Sequence, residues 1–280
     1  MEIIHTISRL EEALQDYRRE GKTIGFVATM GALHEGHTAL VKKCTEDNDV
    51  CVVSLFVNPT QFNNKEDLQH YPRTPEEDSR LLESLGTDIL FAPSVDEMYP
   101  VPDDRVFDFG LLDKVMEGRF RPGHFNGVAQ IVSKLFAIVR PDNAYFGEKD
   151  FQQLAIVREM VKQLQLPVNI VAVPIVREPD GLAMSSRNAR LTEQEKKNAA
   201  QIYRVLRESS QMTNSFTPEQ LAHWVIEQIN SVPGLSVEYF EIVDGDSLQS
   251  ISSWNDAGHI VGCIAVYCGA VRLIDNIRYK

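Results

Sequence analysis

The chain has 280 residues, 43% hydrophobic and 24% charged, which gives material for one large globular domain or two modest ones. Lys and Arg number 28 against 40 Asp and Glu, for a net charge of −12; such a surface repels nucleic-acid phosphates at long range. The longest apolar runs, such as Val50 to Val57, fall far short of the ~20 residues of a membrane span.

The opening MEIIHTISRLEE acquires charge at once and has no cleavable hydrophobic region, so no signal peptide, no membrane and a cytoplasmic location are expected. Thr23 to Ala28 reads as a short buried strand, Glu35 to Glu46 as a helix, and Val50 to Val57 as a β-branched buried strand. Pro75 to Leu85 is predicted helical and Asp88 to Phe91 forms the next strand. Gly127 to Val139 is apolar nearly all round and predicts a deeply packed helix. Ala144 to Phe146 is a strand, Phe151 to Leu164 an amphipathic helix and Val168 to Val176 a strand. Strands separated by helices imply βαβ units, a parallel sheet and right-handed crossovers.

The pattern changes after the turn signal Pro179-Asp180-Gly181. Thr192 to Ser209 predicts a long helix with Thr192 as N-cap and Glu195 completing a capping box. Thr217 to Ile229 is a second helix, and Val237 to Val243, Ile260 to Cys268 and Val271 to Ile277 alternate as antiparallel strands. The fold class is therefore α/β, with a parallel-sheet domain over residues 1–176 and a smaller α+β domain over 177–280. The four cysteines, Cys44, Cys51, Cys263 and Cys268, form no CxxC pair and read as reduced, mostly buried thiols.

Four segments carry candidate chemistry. The first, Thr29 to His37, leaves a strand and opens a helix, where free N–H groups and the helix dipole attract phosphate. Gly31 and Gly36 allow close approach to the backbone, and His34 and His37 lie three apart so that two imidazoles can serve one polyphosphate. A zinc site and a purely structural capping pair are the alternatives; zinc lacks an obvious third ligand. His-x-Gly-His is the signature of the nucleotidylyltransferase superfamily. The second segment, Met184-Ser185-Ser186-Arg187-Asn188, offers hydroxyls and a guanidinium to phosphate oxygens, with a solvated helix-start loop as the alternative. The third, Gly147-Glu148-Lys149-Asp150, ends a strand. Lys149 is the candidate cation for an α-phosphate; Asp150 reads either as a ribose partner or as a cap for the next helix. Gln152 and Gln153 follow with amides suited to a small hydroxy acid. The fourth, Ser54 to Phe62, closes a strand at Pro59 and carries Asn58 and Gln61 to the sheet's functional edge.

Taken together, TMGALHEGH (29 to 37), FVNPTQF (56 to 62), YPRTPEED (71 to 78), GRFRPGHFNGV (118 to 128), PDNAYFGEKDFQQL (141 to 154) and MSSRN (184 to 188) resemble the pantothenate synthetase family over nearly the whole chain. The resemblance implies a Rossmann-like N-terminal domain, a smaller C-terminal lid and a cytoplasmic homodimer. It implies ATP, accompanied by Mg²⁺, activating pantoate as an adenylate that is then transferred to β-alanine. By the same resemblance Met30, Gly31, Ala32, Leu33, His34, Glu35, Gly36 and His37, Gly147, Glu148, Lys149 and Asp150, Val176, and Met184, Ser185, Ser186 and Arg187 form the ATP site. His37 is the implied proton donor, with His34 and Lys149 as catalytic companions, and Gln61 and Gln153 hold the small substrates. Family members often carry three aspartates where this chain has Glu76-Glu77-Asp78, so a magnesium contact there stays open, as does whether Arg119, Arg121 and His124 face substrate or a partner. No protein metal ligand is assigned. Rival readings are a nucleotidylyltransferase that keeps the nucleotide on its product and a non-catalytic nucleotide-binding regulator; the second should have lost a histidine or Lys149, and all three are present. Aminoacylation of transfer RNA is disfavoured by the acidic chain.

Overall fold

In the computed structural model, which describes residues 1–62 and 65–280, the chain divides into two compact units. The first comprises Met1–Phe109, Arg121–Glu148 and Ile156–Pro174; the second comprises Gly110–Phe120, Lys149–Ala155 and Ile175–Lys280. The main division falls between Pro174 and Ile175, and two short segments from the N-terminal part join the second unit.

The first unit is built on a six-stranded sheet: β1 (Glu2–Ile4), β2 (Ile24–Thr29), β3 (Val50–Leu55), β4 (Ile89–Phe91), β5 (Asn143–Gly147) and β6 (Asn169–Val173). Every pairing is parallel, in the order β1-β4-β3-β2-β5-β6. Apolar residues on both faces of β2 and β3 are buried, as expected for a sheet covered by crossover helices. The helices are α1 (Ile7–Arg19), α2 (Glu35–Asp47), α3 (Lys65–Gln69), α4 (Pro75–Ser84), α5 (Val95–Met98), α6 (Met116–Phe120, in the second unit), α7 (His124–Val139) and α8 (Phe151–Gln163, through which the division passes). Val27, Leu40, Val41, Val53, Leu82 and Leu90 belong to one buried cluster. The α7 helix starts at His124, three residues before the sequence pattern suggests, and all but three of its residues are buried.

The chain passes from β2 to β3 on one side and later returns to β5 on the other. The neighbouring strands β3, β2 and β5 therefore release three of the four motif segments from the same edge, at the switch of strand order where open α/β sheets bind ligands.

The second unit carries α9 (Glu193–Ser209), α10 (Pro218–Asn230) and an antiparallel sheet of β7 (Leu235–Asp244), β8 (Ile260–Cys268) and β9 (Val271–Arg278). The Thr192–Glu195 capping box forms as the sequence predicts. Leu206, Leu221, Val225, Ile264 and Val266 are central to its core. All four cysteines are free and buried.

Candidate active site

The end of β2 is fastened before the chain leaves the sheet. Thr29 is buried, and its hydroxyl donates to the Ser54 carbonyl on β3 at 2.8 Å. Two left-handed residues follow, Gly31 (φ 85°) and Ala32 (φ 50°). Glycine takes that conformation freely, whereas Ala32 does so at a cost of about 1 kcal/mol. Two hydrogen bonds hold it: Ala32 and Leu33 donate their N–H groups to Asp78 Oδ2 and Oδ1 at 2.9 and 2.8 Å.

His34 then occupies the N-cap of α2 with extended backbone angles. Its Nδ1 accepts the Gly36 N–H at 3.1 Å, and His37 Nδ1 accepts the His34 N–H at 3.3 Å, a reciprocal capping box made of two imidazoles. The ring centroids are 4.1 Å apart. A ring nitrogen that accepts a hydrogen bond carries no proton, so each neutral ring holds its proton on Nε2. Capping, one of the alternatives at the level of sequence, thus uses Nδ1 of both rings.

On the neighbouring strand, β3 ends in the single turn Pro59–Gln61. Asn58, expected at the functional edge, is 1% exposed and committed to structure: Nδ2 donates to the Gly127 carbonyl at 3.2 Å and Oδ1 accepts the Tyr99 hydroxyl at 2.8 Å. Gln61 is half-buried, and its Nε2 lies 2.9 Å from Met30 Sδ, which brings together two residues singled out in sequence. His124 is buried and donates from Nδ1 to the Gln61 carbonyl at 2.8 Å. Gly127 is required here: a Cβ on it would sit 2.4 Å from the Thr60 carbonyl oxygen and 2.8 Å from Gln61 Cα. Gly147, at the end of β5, is different, since a Cβ there would meet nothing among the described residues within 4 Å.

In the second unit, Lys149 and Ser185 line one small cavity with Leu182, Ala183 and Asp275. Burial pushes the Lys149 ammonium below the usual lysine range, aided by the Arg187 and Arg177 charges and opposed by Asp150 and Asp275. Its main chain is held by Asn276, whose Nδ2 donates to the Lys149 carbonyl at 3.1 Å. Beside it Arg177 grips Asp275 with two bonds of 2.6 and 2.8 Å and stacks 3.6 Å from the centre of the Tyr203 ring. Burial raises the Asp275 carboxyl above its ordinary range even so, with Arg177 pulling the other way.

Val176 and Met184 face each other across the Pro179–Gly181 turn, with Met184 N–H donating to the Val176 carbonyl at 3.0 Å. Ser185 caps the short helix Ser186–Arg190 by accepting the Arg187 N–H at 3.3 Å, and buried Asn188 donates to the Ala183 carbonyl at 3.1 Å. The segment is therefore the start of a short helix, with Ser185 and Ser186 half-buried. Gln152 is 4% exposed and clamps residues 112–117 through the Leu112 and Val115 carbonyls and the Glu117 N–H, so its amide is structural; Gln153 beside it is half-buried. Arg119 pairs with Glu241 at 3.0 Å and lies over the Phe120 ring.

Sequence reasoning missed Asn276 and the Arg177–Asp275 pair, left the facing of His124 undecided, and weighed Asp78 only as part of an acidic run with a magnesium contact left open. The hold of Asp78 on the Ala32 and Leu33 amides was not foreseen. Among the described residues no three His, Cys, Asp or Glu side chains are grouped so as to hold a metal ion, and no helix is long and apolar enough to cross a membrane.

Among known proteins, the family model for pantoate-β-alanine ligase matches residues 2–278. A protein of Porphyromonas gingivalis named pantothenate synthetase is 58% identical over 280 residues, covering both chains completely. The crystal structure of pantothenate synthetase from Thermus thermophilus superposes with a TM-score of 0.94 at 42% identity, covering both chains in full. The pantoate-β-alanine ligase of Francisella tularensis, complexed with β-γ ATP and β-alanine, gives a TM-score of 0.85 at 38% identity, over 100% of this chain and 98% of that one.

Proposed function

The chain belongs to the pantoate-β-alanine ligase family, and from that premise we propose how its residues divide the work of an ATP-dependent condensation of pantoate with β-alanine. A carboxylate does not react with an amine in neutral water. The chemistry therefore runs in two steps: a pantoate carboxylate oxygen attacks the α-phosphorus of ATP in line and pyrophosphate leaves. The uncharged amine of β-alanine then attacks the pantoyl carbonyl and AMP leaves. Neither step needs a protein nucleophile, and positioning and electrostatics supply most of the acceleration.

The observation that carries this assignment is the histidine capping box. With Nδ1 of both rings taken by main-chain N–H groups, His34 and His37 are donors at Nε2 without having to be protonated first. Donors fixed in advance are what charge developing on a departing pyrophosphate requires. His37 is the principal donor. Met30 to Gly36, Gly147 and Glu148 supply the surrounding ATP contacts, and the open space beside Gly147 supports close approach there. Lys149 serves the α-phosphate, Asp150 the ribose, and Val176 and Met184 to Arg187 contribute donors and apolar contact. Gln61 and Gln153 hold pantoate, and Gln61 is near β-alanine.

Mg²⁺ is proposed to accompany ATP, where it would be held mostly by phosphate oxygens and water and would offset their charge. The family resemblance further supports a homodimer in the cytoplasm, testable by sedimentation and by fractionation. The central experiment is pantoate-dependent exchange between ATP and pyrophosphate without β-alanine. Exchange under those conditions, followed by AMP release on adding β-alanine, is expected; an absolute need for β-alanine in the exchange would refute the two-step reading.

A further inference from the structure

Asp78 is the one acidic residue of the Glu76-Glu77-Asp78 run that is buried, at 2% exposure, while the other two face solvent. It sits in the first turn of α4, where Thr74 Oγ1 donates to its Oδ1 at 3.2 Å. Its two oxygens also take the N–H groups of successive residues, Ala32 and Leu33, at 2.9 and 2.8 Å. Two adjacent amides converging on one anion form a concavity of the kind that binds phosphate; here the protein fills it with its own carboxylate.

The residues so held are the ones whose conformation needs holding. Gly31 and Ala32 are both left-handed, at φ 85° and 50°, and an alanine seldom stays there unaided. Two residues later the chain must place His34 at the N-cap with its ring against that of His37. Gly31 has little room: a Cβ on it would lie 3.1 Å from Asp78 Oδ2 and 2.9 Å from Leu55 Cδ2. The loop therefore hangs on three supports: the end of β2, the cap of α2, and Asp78 reaching across from α4.

We propose that Asp78 is a positioning residue for adenylation: its carboxylate is spent on the main chain of the histidine loop, and it acts by fixing where the Nε2–H groups of His34 and His37 point. This rests on the assignment of those histidines to the pyrophosphate leaving step. It gives the third acid of the run an internal structural partner in place of a metal ion. The consequence is specific to one half of the reaction, because the second step no longer contains a pyrophosphate for the histidines to serve.

The test uses full-length Asp78→Asn, which keeps size but turns an amide N–H toward main-chain donors, with Asp78→Ala as a second variant and His37→Ala as control. Two assays are run on each: pantoate-dependent ATP–pyrophosphate exchange, and transfer of the pantoyl group from chemically prepared pantoyl adenylate to β-alanine. The expected result for Asp78→Asn is a fall of about 10²-fold in the exchange kcat, the scale of an ångström's misplacement, with transfer from the prepared adenylate within threefold of the parent. Exchange within threefold of the parent, while His37→Ala is impaired, overturns the proposal. Loss of both half-reactions in equal proportion, in step with a fall in folded protein, also overturns it, because Asp78 then only supports the fold. If His37→Ala exchanges at the parent rate, the histidine assignment itself fails and this inference falls with it.

Discussion

Replacing His37 with alanine removes two separable things. The first is the acceptor for the His34 N–H at the start of α2, a bond of 3.3 Å. Loss of a cap costs about 1 kcal/mol of stability, and because His34 still caps through the Gly36 N–H the loss should fall toward the low end of that scale. The second is the Nε2–H donor. A fixed donor to charge that develops in the transition state is worth about 10² to 10³ in kcat, or roughly 3 to 4 kcal/mol. The variant should therefore remain folded, with a denaturation midpoint only slightly lowered, and show an exchange kcat down by about 10²-fold or more with little change in KM for ATP. His37→Gln, whose amide oxygen can accept the His34 N–H as Gln220 accepts that of Thr217 at 3.0 Å while its nitrogen donates, should recover part of the cap and part of the kcat. Exchange kinetics at saturating pantoate, with urea denaturation of the same preparations, separate the two contributions. An unchanged kcat with a raised KM would refute the reasoning, since the ring would then bind only the ground state.

Three other outcomes are expected. Because burial holds the Lys149 ammonium below the usual lysine range, its positive charge is complete at low pH and is lost earlier than for an ordinary lysine as pH rises. The kcat/KM for ATP should fall on an alkaline limb below the ordinary lysine value, and a limb at or above that value would contradict the assignment. Gly127→Ala pushes a methyl group against the Thr60 carbonyl and Gln61 Cα; pantoate KM should rise about tenfold, or ~1.4 kcal/mol, with KM for ATP nearly unchanged. Arg272→Met takes from Glu117, 9% exposed at its side chain, the guanidinium that binds it at 2.6 Å, and leaves a buried carboxylate whose charge has lost that cation. Urea denaturation should register a loss of about 3 to 5 kcal/mol, and Arg272→Met with Glu117→Gln should recover part of it.

Much of the fold could be read locally. The β2, β3 and β5 segments are apolar runs bounded by turns, and the Thr192–Glu195 box announces its helix. The pairing of β1 with β4 could not be: three residues at the N-terminus become a strand only by finding Ile89 to Phe91, far along the chain. The same holds for residues 110–120, which join the second unit while Glu117 meets Arg272 and Tyr239 on its sheet. At the site, the histidines announced themselves through spacing after a strand. Asp78 stood out only as one of three acids with a magnesium contact left open, because nothing in an acidic helical turn says which carboxylate the fold will bury against the Ala32 and Leu33 amides. His124 and Gln152 had the chemistry of substrate contacts, and their neighbours turned it inward, onto the Gln61 carbonyl and the 112–117 segment. Spacing along a chain reports which side chains share a face; it does not report which distant amides will claim their lone pairs.

The two-step reaction requires the carboxylate of pantoate to become bonded to the α-phosphorus of ATP. The most direct measurement is a turnover with pantoate labelled with ¹⁸O in its carboxylate, followed by mass spectrometry of both nucleotide and pyrophosphate. One labelled oxygen should appear in AMP and none in pyrophosphate, because the bridging oxygen leaves with AMP when β-alanine attacks the carbonyl. Label in pyrophosphate, or AMP without label, would contradict the adenylate.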